Sequence, residues 1–126
     1  FKVNKATLVP RPETELLVES LVRIAPMLRP EGDVKILDIG TGSGAIIVSL
    51  LDYLPQAKGV GVDISVDALI VAKENSEKIG VTGRIGFVPT EGNSYQTENK
   101  YTVLVYYHAQ GSRYDRLVGV AHIHTR

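Results

Sequence analysis

The stretch Lys35-Ile36-Leu37-Asp38-Ile39-Gly40-Thr41-Gly42-Ser43-Gly44-Ala45 constrains this chain more than any other. An apolar run ends in an acid, alternate glycines follow, and an apolar helix pattern starts at once. A short run with almost no polar face suits the centre of a parallel sheet. A glycine-rich turn after it can let a nucleotide-like ligand touch bare backbone.

The rest of the chain fits that frame. Residues 1–9 alternate loosely, and Pro10-Arg11-Pro12 favours extended backbone. Glu13 and Glu15 fall where a helix N-terminus favours acids, and Leu16, Leu17, Leu21, Ile24 and Leu28 recur at helical spacing. A helix is therefore expected over 13–28, with Pro26 kinking it or ending it early. Residues 34–39 form the first strand, 45–54 a helix apolar on almost every side, and 57–62 a second strand ending at Asp63. Ser65 is a plausible N-cap, Asp67 suits the first turn, and Gly80 closes the next helix. A third strand covers 84–88, up to Pro89. Strand–helix–strand–helix–strand order implies right-handed parallel βαβ units and an α/β, Rossmann-like domain. Residues 101–107 and 117–124 are strand-like and can form a hairpin about the turn at 110–113.

Composition narrows the function classes. The 126 residues suffice for one domain, and 14 basic against 14 acidic residues give no electrostatic case for direct nucleic-acid binding. With no cysteine there is no disulfide, thiolate chemistry or cysteine metal site, and redox compartment is unreadable. No apolar run approaches the roughly 18 residues of a membrane span. The chain starts without Met or a signal pattern and reads as the middle of a longer product.

Three readings of the turn compete. It can be a bare strand-to-helix turn with no ligand. It can be a G-x-G-x-x-A dinucleotide fingerprint, with Asp63 about 20 residues on to hold ribose hydroxyls. It can be D-x-G-x-G-x-G, led by Asp38. A carboxylate at the strand end repels a pyrophosphate but favours the ammonium and sulfonium of S-adenosylmethionine. Asp38 therefore favours that cofactor. Asp63 can accept from both ribose hydroxyls, and Glu91, after the third strand, can take an adenine amino group; as plain alternatives they are a helix-leading acid and a solvated loop acid.

Leu8-Val9-Pro10-Arg11-Pro12-Glu13-Thr14-Glu15, followed by Ile36-Leu37-Asp38-Ile39-Gly40-Thr41-Gly42-Ser43-Gly44-Ala45, resembles the HemK/PrmC-type release-factor glutamine methyltransferases. Gly61-Val62-Asp63-Ile64-Ser65 and Ala72-Lys73-Glu74-Asn75 extend the likeness, which runs from Phe1 to about Val88. The resemblance implies a seven-stranded Rossmann-like methyltransferase fold, S-adenosylmethionine as cofactor, a cytoplasmic location and a peptide-chain release factor as partner. It implies cofactor contacts from Asp38, Gly40, Thr41, Gly42, Ser43, Gly44, Asp63, Ile64 and Glu91. It places Arg11, Glu13 and Thr14 beside the substrate.

The last third departs from that family. The family's fourth strand ends in Asn-Pro-Pro-Tyr, which grips the amide to be methylated. Here Tyr107-His108-Ala109-Gln110 stands in its place, and none of the 126 residues corresponds to the family's N-terminal recognition domain. Residues 89–126 are therefore expected to be divergent: truncated or frameshifted, chimeric, or remodelled by design. Two functions follow, an enzyme of the methyltransferase class or a cofactor-binding module without turnover. A missing sheet edge makes a homodimer plausible. His122-x-His124 with His108 has the makings of a metal set, and the tail tyrosines of a stacking platform. Surface histidines and packing tyrosines are the plainer readings.

Overall fold

The computed structural model describes residues 12–28, 34–90, 101, 103–109 and 116–122. Helix α1 (Pro12–Leu28) is followed by β1 (Lys35–Ile39), α2 (Ala45–Tyr53), β2 (Lys58–Asp63), α3 (Val66–Ile79), a 3₁₀ turn (Thr82–Arg84), β3 (Ile85–Pro89), β4 (Val103–Ala109) and β5 (Arg116–His122). The strands form one sheet in the order β3-β2-β1-β4-β5. The first three and β4 run parallel, while β5 pairs antiparallel to β4. The expected α/β Rossmann-like architecture is present, and so is the C-terminal hairpin.

This order places β1 between β2 and β4, so the chain turns outward in both directions from β1. Ligands of doubly wound sheets bind beyond the strand carboxyl ends at such a switch point. The glycine turn leaves β1 there.

Strand alternation sends Ile36 and Leu37 to opposite faces. One buried cluster joins Ile36, Val103 and Val105 to Ile46, Ile47, Val48, Leu50 and Leu51 of α2 and to Val18, Leu21 and Ala25 of α1. A smaller one holds Leu37, Val62 and Tyr101. Helix α2 is buried as expected, because its apolar residues leave no face for water. It lies close on β2: a Cβ at Gly59 would stand 2.7 Å from Ile47 Cδ1.

Helix α1 departs from the sequence reading at two points. It runs through Pro26 to Leu28 instead of ending early, and the proline, near the end, removes one i→i−4 hydrogen bond without stopping the last turn. Among its described side chains Val18, Leu21 and Ala25 are buried, and Ile24 is exposed. Val18, Leu21 and Ala25 join the cluster that holds the bulky side chains of α2. In the tail, β4 continues through Tyr107 and His108 to Ala109. Asn-Pro-Pro-Tyr would interrupt a strand there, because proline has no N–H for the ladder; Tyr-His-Ala has all three, and Val118, Leu117 and Arg116 pair with it.

Candidate functional site at the glycine turn

Asp38 is the last acid of β1 and Asp63 the last residue of β2. Asp38 pairs in register with Gly61, two residues before Asp63, so both acids occupy the α2 face of adjacent parallel strands. Asp38 is fully buried, and its Oδ2 accepts the Thr41 hydroxyl at 2.7 Å. Gly61 makes that bond possible. A Cβ there would come within 2.9 Å of Thr41 Oγ1 and 3.0 Å of the Phe87 ring.

The turn is folded onto β2. The N–H groups of Gly40 and Thr41 both donate to the Val62 carbonyl, at 2.8 and 2.9 Å. The Gly42 N–H donates to Asp63 Oδ2 at 2.9 Å, and the Gly44 N–H to the Thr41 carbonyl at 2.9 Å. Asp63 Oδ1 accepts the Ser65 N–H at 2.9 Å. Ser65 in turn caps α3, its hydroxyl accepting the Ala68 N–H at 3.1 Å. The residue expected to take ribose hydroxyls thus also clamps the turn. Each carboxylate oxygen has a second lone pair left for such a partner.

Gly44 is both the N-cap of α2 and the point where α3 comes nearest. Its φ of 78° is left-handed, and a Cβ would lie 3.1 Å from Ala72 Cβ. Thr41 and Ser43 are buried. Ile64, next to Asp63, is an apolar side chain left 76% exposed. Asp38, Gly40, Thr41, Gly42, Ser43, Gly44, Asp63 and Ile64 therefore gather at one end of β1 and β2. Glu13 and Thr14 fall in the first turn of α1, while Arg11 and Glu91 lie outside the described residues. The Thr90 N–H donates to the Asp63 carbonyl at 3.1 Å, which ties the end of β3 to the same corner.

Register separates two of the three tail histidines. His108 pairs with Leu117 and His122 with Val103, at opposite ends of the hairpin. Five residues of strand span about 17 Å, too far for one metal ion. His124 lies outside the described residues, among which no group of three or more metal-ligating side chains occurs and no helix is long and apolar enough to cross a membrane.

Two contributors were given no role by the sequence. Asn75 on α3 donates from Nδ2 to the Ser43 carbonyl at 2.9 Å, and is buried. Its signals were the stretch Ala72-Lys73-Glu74-Asn75 that extends the family likeness and a polar residue on the Ala68–Ala72 face of α3. Arg84 donates to the Leu51 and Leu54 carbonyls at the end of α2 and to the Ala57 carbonyl just before β2, at 2.8 to 3.0 Å. That contact spans about thirty residues, and no local pattern announces it.

The comparisons agree with this geometry. The family model described as a methyltransferase domain matches residues 30–105, from before β1 into β4. The release factor glutamine methyltransferase of Bradyrhizobium diazoefficiens is 44% identical over 88 residues, 70% of this chain and 30% of that protein. That of Moorella thermoacetica is 47% identical over 85 residues, 68% of this chain and 29% of that protein. The chain therefore spans about 30% of the length of these curated relatives. A SAM-dependent methyltransferase from Geobacter sulfurreducens, solved with S-adenosyl-L-homocysteine, has a TM-score of 0.59 at 19% identity, covering 78% of this chain and 48% of that one. That likeness is one of fold. With a family model matching more than half its length, this chain belongs to the methyltransferase-domain family.

Proposed function

We propose that this chain is the cofactor-binding part of an S-adenosylmethionine-dependent methyltransferase of release-factor type. One observation carries the choice of cofactor. Four amides of the glycine turn, those of Gly40, Thr41, Gly42 and Gly44, donate to protein oxygens. A phosphate cradle works by presenting such N–H groups to the ligand. What borders this turn instead is two carboxylates, Asp38 and Asp63. That pairing disfavours a pyrophosphate and suits a ligand with a cationic end and a ribose.

In this reading the Asp63 oxygens accept the ribose hydroxyls while still holding the Gly42 and Ser65 N–H groups. Ile64 offers an apolar surface to the flat base, and Glu91 an acceptor for its amino group. Asp38, oriented by Thr41, sets the negative potential at the end of β1. The cofactor supplies a sulfonium methyl group for in-line transfer. The protein contributes mainly proximity and orientation. Arg11, Glu13 and Thr14 lie toward the amide substrate, a release-factor glutamine by analogy with the relatives. Titration with S-adenosylhomocysteine tests the cofactor; absence of binding at millimolar ligand removes the reading.

A second reading, cofactor binding without turnover, rests on β4. Tyr107, His108 and Ala109 are ladder residues where the resembled family grips its amide. Within 89–126, the residues beyond the family match at 105 are then a remodelled or foreign replacement for the substrate half. Methylation of a release-factor domain by this chain excludes that reading. Homodimerisation through the β3 or β5 edge is tested by sedimentation equilibrium; a monomer at all concentrations sinks it.

A further inference from the structure

Glycine turns are permissive. Gly40, Gly42 and Gly44 all have positive φ, at 72°, 58° and 78°. Glycine pays little for either hand of backbone, so the peptide planes between such residues can flip at low cost. A ligand site built on this turn therefore needs something outside it to select one orientation. Val62 and Asp63 hold its first part, through the N–H groups of Gly40, Thr41 and Gly42. The peptide joining Ser43 to Gly44 is held on both sides. Its N–H donates to the Thr41 carbonyl, and its carbonyl accepts Asn75 Nδ2 at 2.9 Å.

Asn75 is an unusual residue for its place. It is 1% exposed, inside α3, one turn after the Ala72 that packs under Gly44. Asparagine is a weak helix former, and a buried amide is unfavourable unless it is hydrogen-bonded. An apolar side chain would fill this place without burying an amide. The side chain's amide geometry is the feature that packing does not require.

We infer that Asn75 is a positioning residue for the cofactor: it fixes the Ser43–Gly44 peptide and so holds the turn in its binding-competent orientation. This rests on the cofactor reading above. Ala72 sets how close α3 approaches the turn, and Asn75 sets which way the peptide faces. Loss of the amide lets the ligand-free turn sample flipped peptides, and binding must then reselect the competent one. The apparent affinity falls by the fraction of competent turn.

The test is calorimetric titration of S-adenosylhomocysteine into the parent protein, Asn75→Leu and Asn75→Gln, with melting temperatures of the ligand-free proteins. Asn75→Leu should bind about tenfold more weakly, the factor for roughly one hydrogen bond. Its ligand-free melting temperature should fall by a few degrees, because the Ser43 carbonyl loses its donor and the larger leucine must be packed. Asn75→Gln, which keeps a donor, should recover part of the affinity. Equal affinity of Asn75→Leu and parent overturns the inference and leaves the cofactor reading intact. No binding by the parent overturns both. If Asn75→Leu does not fold, amide exchange in the ligand-free parent and Asn75→Gln decides. Gly44 should exchange faster in the glutamine variant relative to the α2 core, and unchanged exchange with unchanged affinity overturns the inference.

Discussion

Asp63 Oδ2 accepts the Gly42 N–H at 2.9 Å, so the acid at the end of β2 holds the glycine turn that leaves β1. Its other oxygen accepts the Ser65 N–H. Both oxygens face donors. Asp63→Asn must therefore turn an NH2 group toward one of these N–H groups. The substitution should cost about 2 kcal/mol of stability, in the range for hydrogen bonds to charged groups. It should also weaken S-adenosylhomocysteine binding. Urea denaturation checks the first part, and a stability equal to the parent's would mean that the clamp is unimportant.

Gly61 makes room for Thr41 to reach Asp38. In Gly61→Ala the new Cβ stands 2.9 Å from Thr41 Oγ1, and the Phe87 ring at 3.0 Å closes the other side. Overpacking of this kind costs roughly 1–3 kcal/mol. Because the clash is with the hydroxyl that binds Asp38, the effect should shrink in a Thr41→Ala background. A double-mutant cycle measures the coupling. Additive losses would place the strain on Phe87 alone.

Arg84, last in the 3₁₀ turn before β3, bridges to the Leu51 and Leu54 carbonyls at the C-terminal end of α2, where a cation also suits the helix dipole, and to the Ala57 carbonyl before β2. The planar fork matters as well as the charge, since it meets three carbonyls at once. Arg84→Met should lose about 2 kcal/mol, in the range for charged hydrogen bonds at a partly buried site. Arg84→Lys should recover less than half of that. Full recovery by lysine in urea unfolding would show that charge alone suffices.

The parallel core was legible because its signals are local. The run before Asp38, the glycines, the all-apolar α2, the Ser65 cap and the Gly80 stop each act within a few residues, and each element formed where expected. Asp63 and Asp38 were legible as acids at strand ends. Their internal bonds were not, because Gly42 and Asp63 are 21 residues apart and meet only once β1 and β2 pair. Asn75 and Arg84 escaped for the same reason: their partners lie 32 and about 30 residues away. In α1 the helical spacing picked out Leu21, which is buried, and Ile24, which is exposed, while Val18 and Ala25 are buried although nothing in the spacing marked them.

The central claim is that the turn's inward amides and two carboxylates select a cationic nucleoside over a phosphate. Titration of the chain with S-adenosylhomocysteine and, separately, with a nicotinamide dinucleotide tests it directly. Saturable heat with S-adenosylhomocysteine, lost in the Asp63→Ala variant, and none with the dinucleotide is the expected result. Saturable dinucleotide binding without S-adenosylhomocysteine binding would mean that the turn opens to present its amides, and the claim would be wrong.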